Sequence, residues 1–248
     1  MTGRIRLTRN GVLAEITIDR PQKHNAMTPA MATELQAACR EVDEDDAIKA
    51  VVLAGAGQRA FCAGSDLDAL SEYPSIWHFR NRVDYATQVR NLTKPCVAAL
   101  KGWVLGGGLE LCLAADIRVA SPTTRLGAPE VVHGWVGAGG ASQLLPRLIG
   151  YGRASMLLLS GEQFDAQTAL SWGLVDVLAS ENGELDAARE LAMKLSKHSA
   201  IALQTVKAAI RCAHSMPLDA GIRYENEVMA LAFALGNSND GIEKFKRR

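Results

Sequence analysis

The chain opens with apolar Ile5 and Leu7 alternating with Arg4, Arg6, Thr8 and Arg9; an Asn10-Gly11 turn and a second β-rich run through Ile18 follow. A period of two interrupted by Asn-Gly predicts a hairpin, with strands near 4–9 and 12–18. Further short β-rich runs lie near 50–54, 96–100, 117–120 and 174–178, with helical patterns between most of them. That alternation predicts an α/β fold with parallel strands. The clearest helix covers 29–42, where Thr28 stands at the cap, Pro29 at the first helical position, and Met31, Leu35, Ala38 and Val42 form one apolar stripe. Asp43-Glu44-Asp45-Asp46 then ends it on a solvated acidic face. A second amphipathic helix is predicted over 76–90, with Ile76, Phe79, Val83 and Ala86 on one side and Arg80, Arg82 and Arg90 on others. From about 185 the pattern is helical to the end. The expected organisation is an α/β core over 1–184 and a helical region over 185–248, without a flexible linker, low-complexity segment or internal repeat.

Composition narrows the function classes. The 248 residues are 48% apolar and 22% charged, enough to bury a full core in a water-soluble globular protein. Twenty-seven basic residues balance twenty-seven acidic ones, so neither nucleic acid nor an anionic membrane surface is expected as a partner. A few cations reserved for a phosphorylated substrate would not show in that balance. The five cysteines are odd in number, widely spaced and free of any Cys-x-x-Cys pair, which fits a reduced cytoplasmic compartment. The basic stretch Met1–Arg9 carries strand alternation into a turn and is read as a first strand, not a transit peptide. No eighteen consecutive apolar residues occur, so no transmembrane helix is expected.

Four segments could carry chemistry. Gly55-Ala56-Gly57-Gln58-Arg59-Ala60 matches a dinucleotide fingerprint, but a second small-residue loop follows where that motif requires a helix. That loop, Phe61-Cys62-Ala63-Gly64-Ser65-Asp66-Leu67, lets a ligand approach the main chain, and Asp66 can begin a turn. Ser65 and Ser142 both lack the Gly-x-Ser-x-Gly elbow of a serine hydrolase. Third, a strand leads through Gly106-Gly107-Gly108 into a helix starting near Gly107, whose unpaired N–H groups form a ready oxyanion site. Glu110 sits in its first turn, where the dipole favours the ionised form and where a purely structural role is the usual one. Fourth, Glu130 stands in Leu126-Gly127-Ala128-Pro129-Glu130, followed by the small-residue run Gly137–Ala141. A surface glutamate is the default there; two glutamates combined with two N–H-rich loops are not explained by that default.

Taken in order, Phe61–Leu67, Lys94-Pro95, Gly106–Glu110, Gly127–Glu130 and Gly137–Gly140 resemble the successive motifs of the crotonase (enoyl-CoA hydratase/isomerase) family. Arg20–Met27 is similar to that family's N-terminal stretch, and Asp165-Ala166 with Trp172–Val175 to its later helix-strand turn. The resemblance implies a spiral of ββα turns, a helical C-terminal trimerisation region, and trimers or dimers of trimers. It implies oxyanion-hole N–H groups from Ser65 and Gly107, acid/base carboxylates from Glu110 and Glu130, and acyl-CoA contacts around Ala63, Asp66, Leu67 and Gly106. Lys23 and Arg59 fall where relatives place residues near coenzyme A. Two glutamates favour hydration of a 2-enoyl-CoA, since water must lose a proton to a base while C2 gains one from an acid. An isomerase working through one carboxylate, another acyl-CoA lyase or hydrolase, and a non-catalytic scaffold stay open. Coenzyme A belongs to the substrate, so no separate cofactor is implied.

The sequence departs from the family pattern at Val136, where proline is common, and at Ser65, where alanine is frequent; neither change removes a backbone N–H. The chain also ends at Phe245-Lys246-Arg247-Arg248, where relatives often continue, which bears on C-terminal coenzyme A contacts. His24, His78, His133, His198 and His214 show no metal-ligand spacing, although His133 is placed to tune Glu130. Tyr73, Trp77 and Trp135 are candidates for an acyl pocket.

Overall fold

The computed structural model describes residues 3–71 and 73–235. The C-terminal segment Phe245–Arg248 therefore lies outside the described residues. The hairpin forms as expected, β1 (Arg4–Asn10) antiparallel to β2 (Leu13–Asp19). Helix α1 (Pro29–Glu44) follows, its first turn closed by the Thr28 hydroxyl accepting from Met31 N–H at 3.2 Å. It runs two residues past the expected end, and the acidic residues there are engaged. Asp43 accepts from the Thr93 backbone and hydroxyl, and Asp45 pairs with Arg9. Buried Lys94 donates to the Val42 and Asp45 carbonyls at the end of α1, which also accept from the Asp45 and Ile48 N–H groups.

From β3 onward the chain winds through repeated turns that visit two sheets. β3 (Ala50–Gly55), β5 (Cys96–Leu100) and β7 (Ile117–Ala120) lie side by side and parallel in a six-stranded sheet of order β1-β2-β3-β5-β7-β10. Each is followed by a three-residue strand of a second sheet: β4 (Ala60–Cys62), β6 (Trp103–Leu105) and β8 (Arg125–Gly127), also parallel to one another. Helices α2 (Leu67–Leu70), α3 (Ile76–Arg80) and α4 (Tyr85–Asn91) follow β4, and α5 (Gly107–Ala114) follows β6. A 3-10 turn over Pro129–His133 follows β8, then α6 (Ala141–Ile149) and α7 (Tyr151–Ser160). β9 (Gln163–Asp165) closes the small sheet antiparallel to β8, α8 (Ala166–Trp172) returns, and β10 (Val177–Leu178) ends the large sheet. This is the spiral α/β architecture that the motifs imply.

Both faces of the large sheet are covered, as its parallel strands require. On β3, Val51 and Leu53 point into the main core, while Ala50, Val52 and Ala54 face α9 (Glu184–Ser196) with Val97, Ala99 and Val119. Thus α9, the first helix after the expected boundary, packs onto the sheet. Helix α10 (Ala200–Cys212) is tied to the core through buried Lys207, which donates to the Lys94 carbonyl and pairs with Asp116 at 2.6 Å. Helix α11 (Leu218–Ala234) buries none of its residues. No described helix is long and apolar enough to cross a membrane.

Three expectations need correction. The helix expected over 76–90 is two helices, because Asp84 caps a new start at Tyr85 by accepting from Ala86 and Thr87 N–H. Ile76, expected on its buried stripe, is 87% exposed. The strand expected over 174–178 shrinks to Val177–Leu178, since Leu174 and Val175 are buried in the turn after Gly173, in left-handed conformation. Most of the second sheet falls where the sequence predicts loops, because three-residue strands are too short to display a period.

The spiral's entry is tied by one side chain. Asn25, fully buried and at φ 59°, accepts from Arg20 N–H and donates to the Ala56 and Ala60 carbonyls at 2.9 and 2.8 Å. Asn25→Ala removes the side-chain partner of one buried and two part-buried main-chain groups and keeps the left-handed strain. Urea unfolding is expected to show a loss of about 2–4 kcal/mol.

Candidate active site

The loops after β4, β6 and β8 open on one cavity of about 650 Å³. The reason is register. Cys62 pairs with Val104 and Leu105 with Gly127, so parallel strands end level and deliver the next residues side by side. Ala63, Ser65 and Leu67 come from the first loop, Gly106 and Gly107 from the second, and Glu130 from the third; Glu110 joins them from α5. The first two loops touch. Gly64, at φ 98° where a side chain would be strained, lies so close that a Cβ on it would sit 3.2 Å from Gly107 N.

Two N–H groups at this junction are unspent. Gly107 opens α5, so its N–H has no acceptor one turn earlier. Among the described residues Ser65 N–H also has no acceptor, although its neighbours are bonded: Met27 N–H donates to the Gly64 carbonyl and Asp66 N–H to the Met27 carbonyl. An oxygen developing negative charge beside both loops would satisfy both donors.

The two glutamates are held differently. Glu110 is only 5% exposed, within a helix whose every residue is buried. Its Oε1 accepts from Gly139 N–H at 2.6 Å and from Ala141 N–H at 3.4 Å, so the run after Gly137 serves to clamp this carboxylate. Burial pushes its pKa up to about 7; the two N–H bonds pull downward and the neighbouring Glu130 charge pushes upward. Glu130 rises from the 3-10 turn, half-buried, with Oε2 unpartnered among the described residues and Oε1 near Gly106. Burial raises its pKa, opposed by its own N–H and by His133. The suspected influence of His133 on Glu130 is thus present, and His133 also lines the cavity, stacked on Trp135 at 5.2 Å between ring centroids.

Not every expected residue reaches the cavity. Asp66 is buried beneath it, ion-paired with Arg20 and capping α2 through Asp68 N–H, which fixes the Ser65 loop. Lys23 is exposed and pairs with Asp68 at 3.5 Å. Arg59 borders a separate cavity of about 390 Å³ with Pro21 and Gln58. That glycine loop runs into β4 and not into a helix, which removes the context of a dinucleotide site. Of the aromatic candidates, Tyr73 and Trp135 line the main cavity, while Trp77 points outward under Arg80. Two contributors escaped the sequence reading. The clamp on Glu110 uses main-chain groups whose direction no residue type reveals. Tyr85, whose hydroxyl lies 3.0 Å from Ser65 Oγ, was hidden inside a helix read as continuous.

Known proteins resemble this chain in sequence and fold. The sequence profile described as enoyl-CoA hydratase/isomerase matches residues 8–248. The chain is 32% identical over 244 residues to the short-chain-enoyl-CoA hydratase of Clostridium acetobutylicum, covering 96% of this chain and 93% of that protein. It is 33% identical to the carnitinyl-CoA dehydratase of Citrobacter koseri over 90% of this chain and 86% of that one. Among solved structures, an enoyl-CoA hydratase from Bacillus anthracis superposes with a TM-score of 0.93 at 31% identity, covering 98% of this chain and 96% of that one. Pseudomonas aeruginosa DspI does so at 0.94 and 30%, covering 99% and 95%. With the motifs, the spiral and these relatives in agreement, the chain belongs to the enoyl-CoA hydratase/isomerase family, the crotonase family.

Proposed function

We propose that the protein adds water across the double bond of a 2-enoyl-CoA to give a 3-hydroxyacyl-CoA. The observation that carries this reading is the meeting of two differently held glutamates and two unspent N–H donors on one cavity wall. In this reading the thioester oxygen accepts from Ser65 and Gly107 N–H, and polarisation makes C3 electrophilic. Glu110 is the base: its ionised form is the one that the Gly139 and Ala141 donors favour. It takes a proton from water as the oxygen bonds to C3, and the electrons collect on the thioester oxygen as an enolate. Each N–H donor contributes about 3 kcal/mol to holding that charge. Glu130, half-buried and without a donor on Oε2 among the described residues, is the acid that returns a proton to C2. Proton exchange with solvent then resets both carboxyls.

Ala63, Leu67 and Gly106 supply the wall against which the acyl-thioester lies, and Asp66 holds that wall in place. Lys23 and Arg59, exposed outside the cavity, are assigned to the coenzyme A phosphates. The reading calls on no cofactor besides the coenzyme A of the substrate. We further infer that α10 and α11 meet other copies of the chain in a trimer or dimer of trimers. Support comes from an apolar cleft between them of about 790 Å³ and from Met229, Leu231 and Phe233, exposed by 54%, 55% and 55%.

Three outcomes test these assignments. Following loss of conjugated thioester absorbance, Glu110→Gln and Glu130→Gln should each lower hydration by about 10²–10⁴-fold while acyl-CoA binding persists. Full hydration by Glu130→Gln would leave one carboxylate in charge and favour the isomerase alternative. The base acts when ionised, so kcat/KM should fall as pH drops through about 7 and rise above it. A profile flat from pH 5.5 to 8 would remove Glu110 from that role. Sedimentation at micromolar concentration should give a multiple of three chains, and Phe233→Asp with Met229→Asp should shift it toward monomer; a monomeric unsubstituted protein would overturn the assembly.

A further inference from the structure

Tyr85 is the first residue of α4, fixed there by the Asp84 cap, and its ring reaches across to the junction of the two N–H-bearing loops. Its hydroxyl lies 3.0 Å from Ser65 Oγ. It also packs directly on Gly107: a Cβ built on that glycine would fall 1.7 Å from the tyrosine oxygen. The position next to the second donor is therefore filled by the Tyr85 hydroxyl, and glycine at 107 is what makes room for it. The hydroxyl thus touches both residues whose N–H groups face the thioester oxygen.

Counting protons gives this contact its consequence. Two hydroxyls share one hydrogen bond, which uses one of their two protons. Whichever group donates, one O–H remains, and neither oxygen has another protein partner among the described residues. An unspent donor in a largely buried wall is costly until a ligand oxygen accepts from it. Burial also drives the Tyr85 pKa upward, so the phenol keeps its proton at any working pH. A serine at position 65 is needed for the arrangement, since alanine supplies the backbone N–H but no partner for the phenol.

We propose that the Tyr85 hydroxyl, accepting from Ser65 Oγ–H and so keeping its own proton free, is a third hydrogen-bond donor to the thioester oxygen, sharing the enolate charge with the two N–H groups. The inference rests on the acyl-CoA reading of the cavity and adds a donor to it. No covalent change is involved: the phenolic proton stays on Tyr85 and its bond shortens as charge develops.

The test uses the full-length protein and a saturated acyl-CoA carrying ¹³C at its carbonyl, whose stretching frequency in infrared difference spectra reports polarisation by donors. Tyr85→Phe should lower kcat for 2-enoyl-CoA hydration by about 10–100-fold, the value of one hydrogen bond to a charged acceptor. The dissociation constant of the saturated ester should change by less than about threefold, and its carbonyl frequency should move back toward the free value. A residue that merely shapes the loop would alter binding or melting without moving that frequency in a properly bound ester. Should Tyr85→Phe fail to fold, Ser65→Ala reads the same pair from the other side, with a smaller loss of kcat and a frequency shift of the same sign. Unchanged kcat and frequency in whichever variant folds would overturn the third donor while leaving the acyl-CoA reading intact. An unsubstituted protein that binds no acyl-CoA would overturn both.

Discussion

The site depends on the parallel pairing of β4, β6 and β8, three strands of three residues each. Strands in a sheet stand about 4.8 Å apart, so loops leaving level ends must lie at that spacing. Residues separated by forty or more positions, Ser65 and Gly107, are thereby brought to one cavity wall. The large sheet sets this register. β3, β5 and β7 are paired parallel and buried on both faces, and each hands the chain to the next small strand at a fixed height. A slip of one residue in the small sheet would turn its side chains to the opposite face and offset the loops that leave it.

The same confinement creates the electrostatic difference between the glutamates. Both are raised by burial, but Glu110 receives two main-chain N–H groups while Glu130 Oε2 receives none. Donors favour the anion and burial the acid, and at Glu110 burial outweighs its two donors. The arrangement costs stability. Glu110 holds its proton more tightly folded than unfolded, so its contribution is intact below about 4.5, its ordinary value, and lost as pH rises through about 7. The fold carries that loss because Glu110 is surrounded by fully buried Leu109, Leu111 and Cys112 on α5. A site that must hold a charge out of water is built where packing is densest.

How far the sequence discloses this follows from the distance over which each signal acts. The hairpin, α1 and the long strands of the large sheet depend on local period and caps, and they stand within a few residues of where the pattern puts them. Helix α5 and Glu110 were legible for the same reason, since a triple-glycine loop before an apolar run marks a helix start. The short strands of the small sheet were not, because a three-residue strand is formed by its neighbours and not by its own residues. Helix 76–90 failed through a cap outweighed by a stripe: Asp84 has the residue type for a new start, but the apolar spacing runs across it. The roles of Asp66 and of the Gly139 N–H depend on partners 46 and 29 positions away. Such partners become visible only when the spiral closes.

The break between α3 and α4 has a chemical result. In one continuous helix, the direction of Tyr85 would be tied to that of α3, whose Ile76 and Trp77 are exposed. With Asp84 restarting the backbone, α4 instead packs against α1 and α5, and Ala86 and Val89 are buried. Tyr85, adjacent to Ala86, then enters the wall of the cavity, where among the described residues its phenol meets Ser65 Oγ alone. The segment before it, with Ile76 and Phe79 lining the outer cavity and Arg82 over the Phe79 ring, keeps an apolar surface free for an acyl chain. One aspartate therefore separates two stretches of the cavity wall along fifteen residues: the part before it lines the cavity with Ile76 and Phe79, and the part after it brings Tyr85 to Ser65.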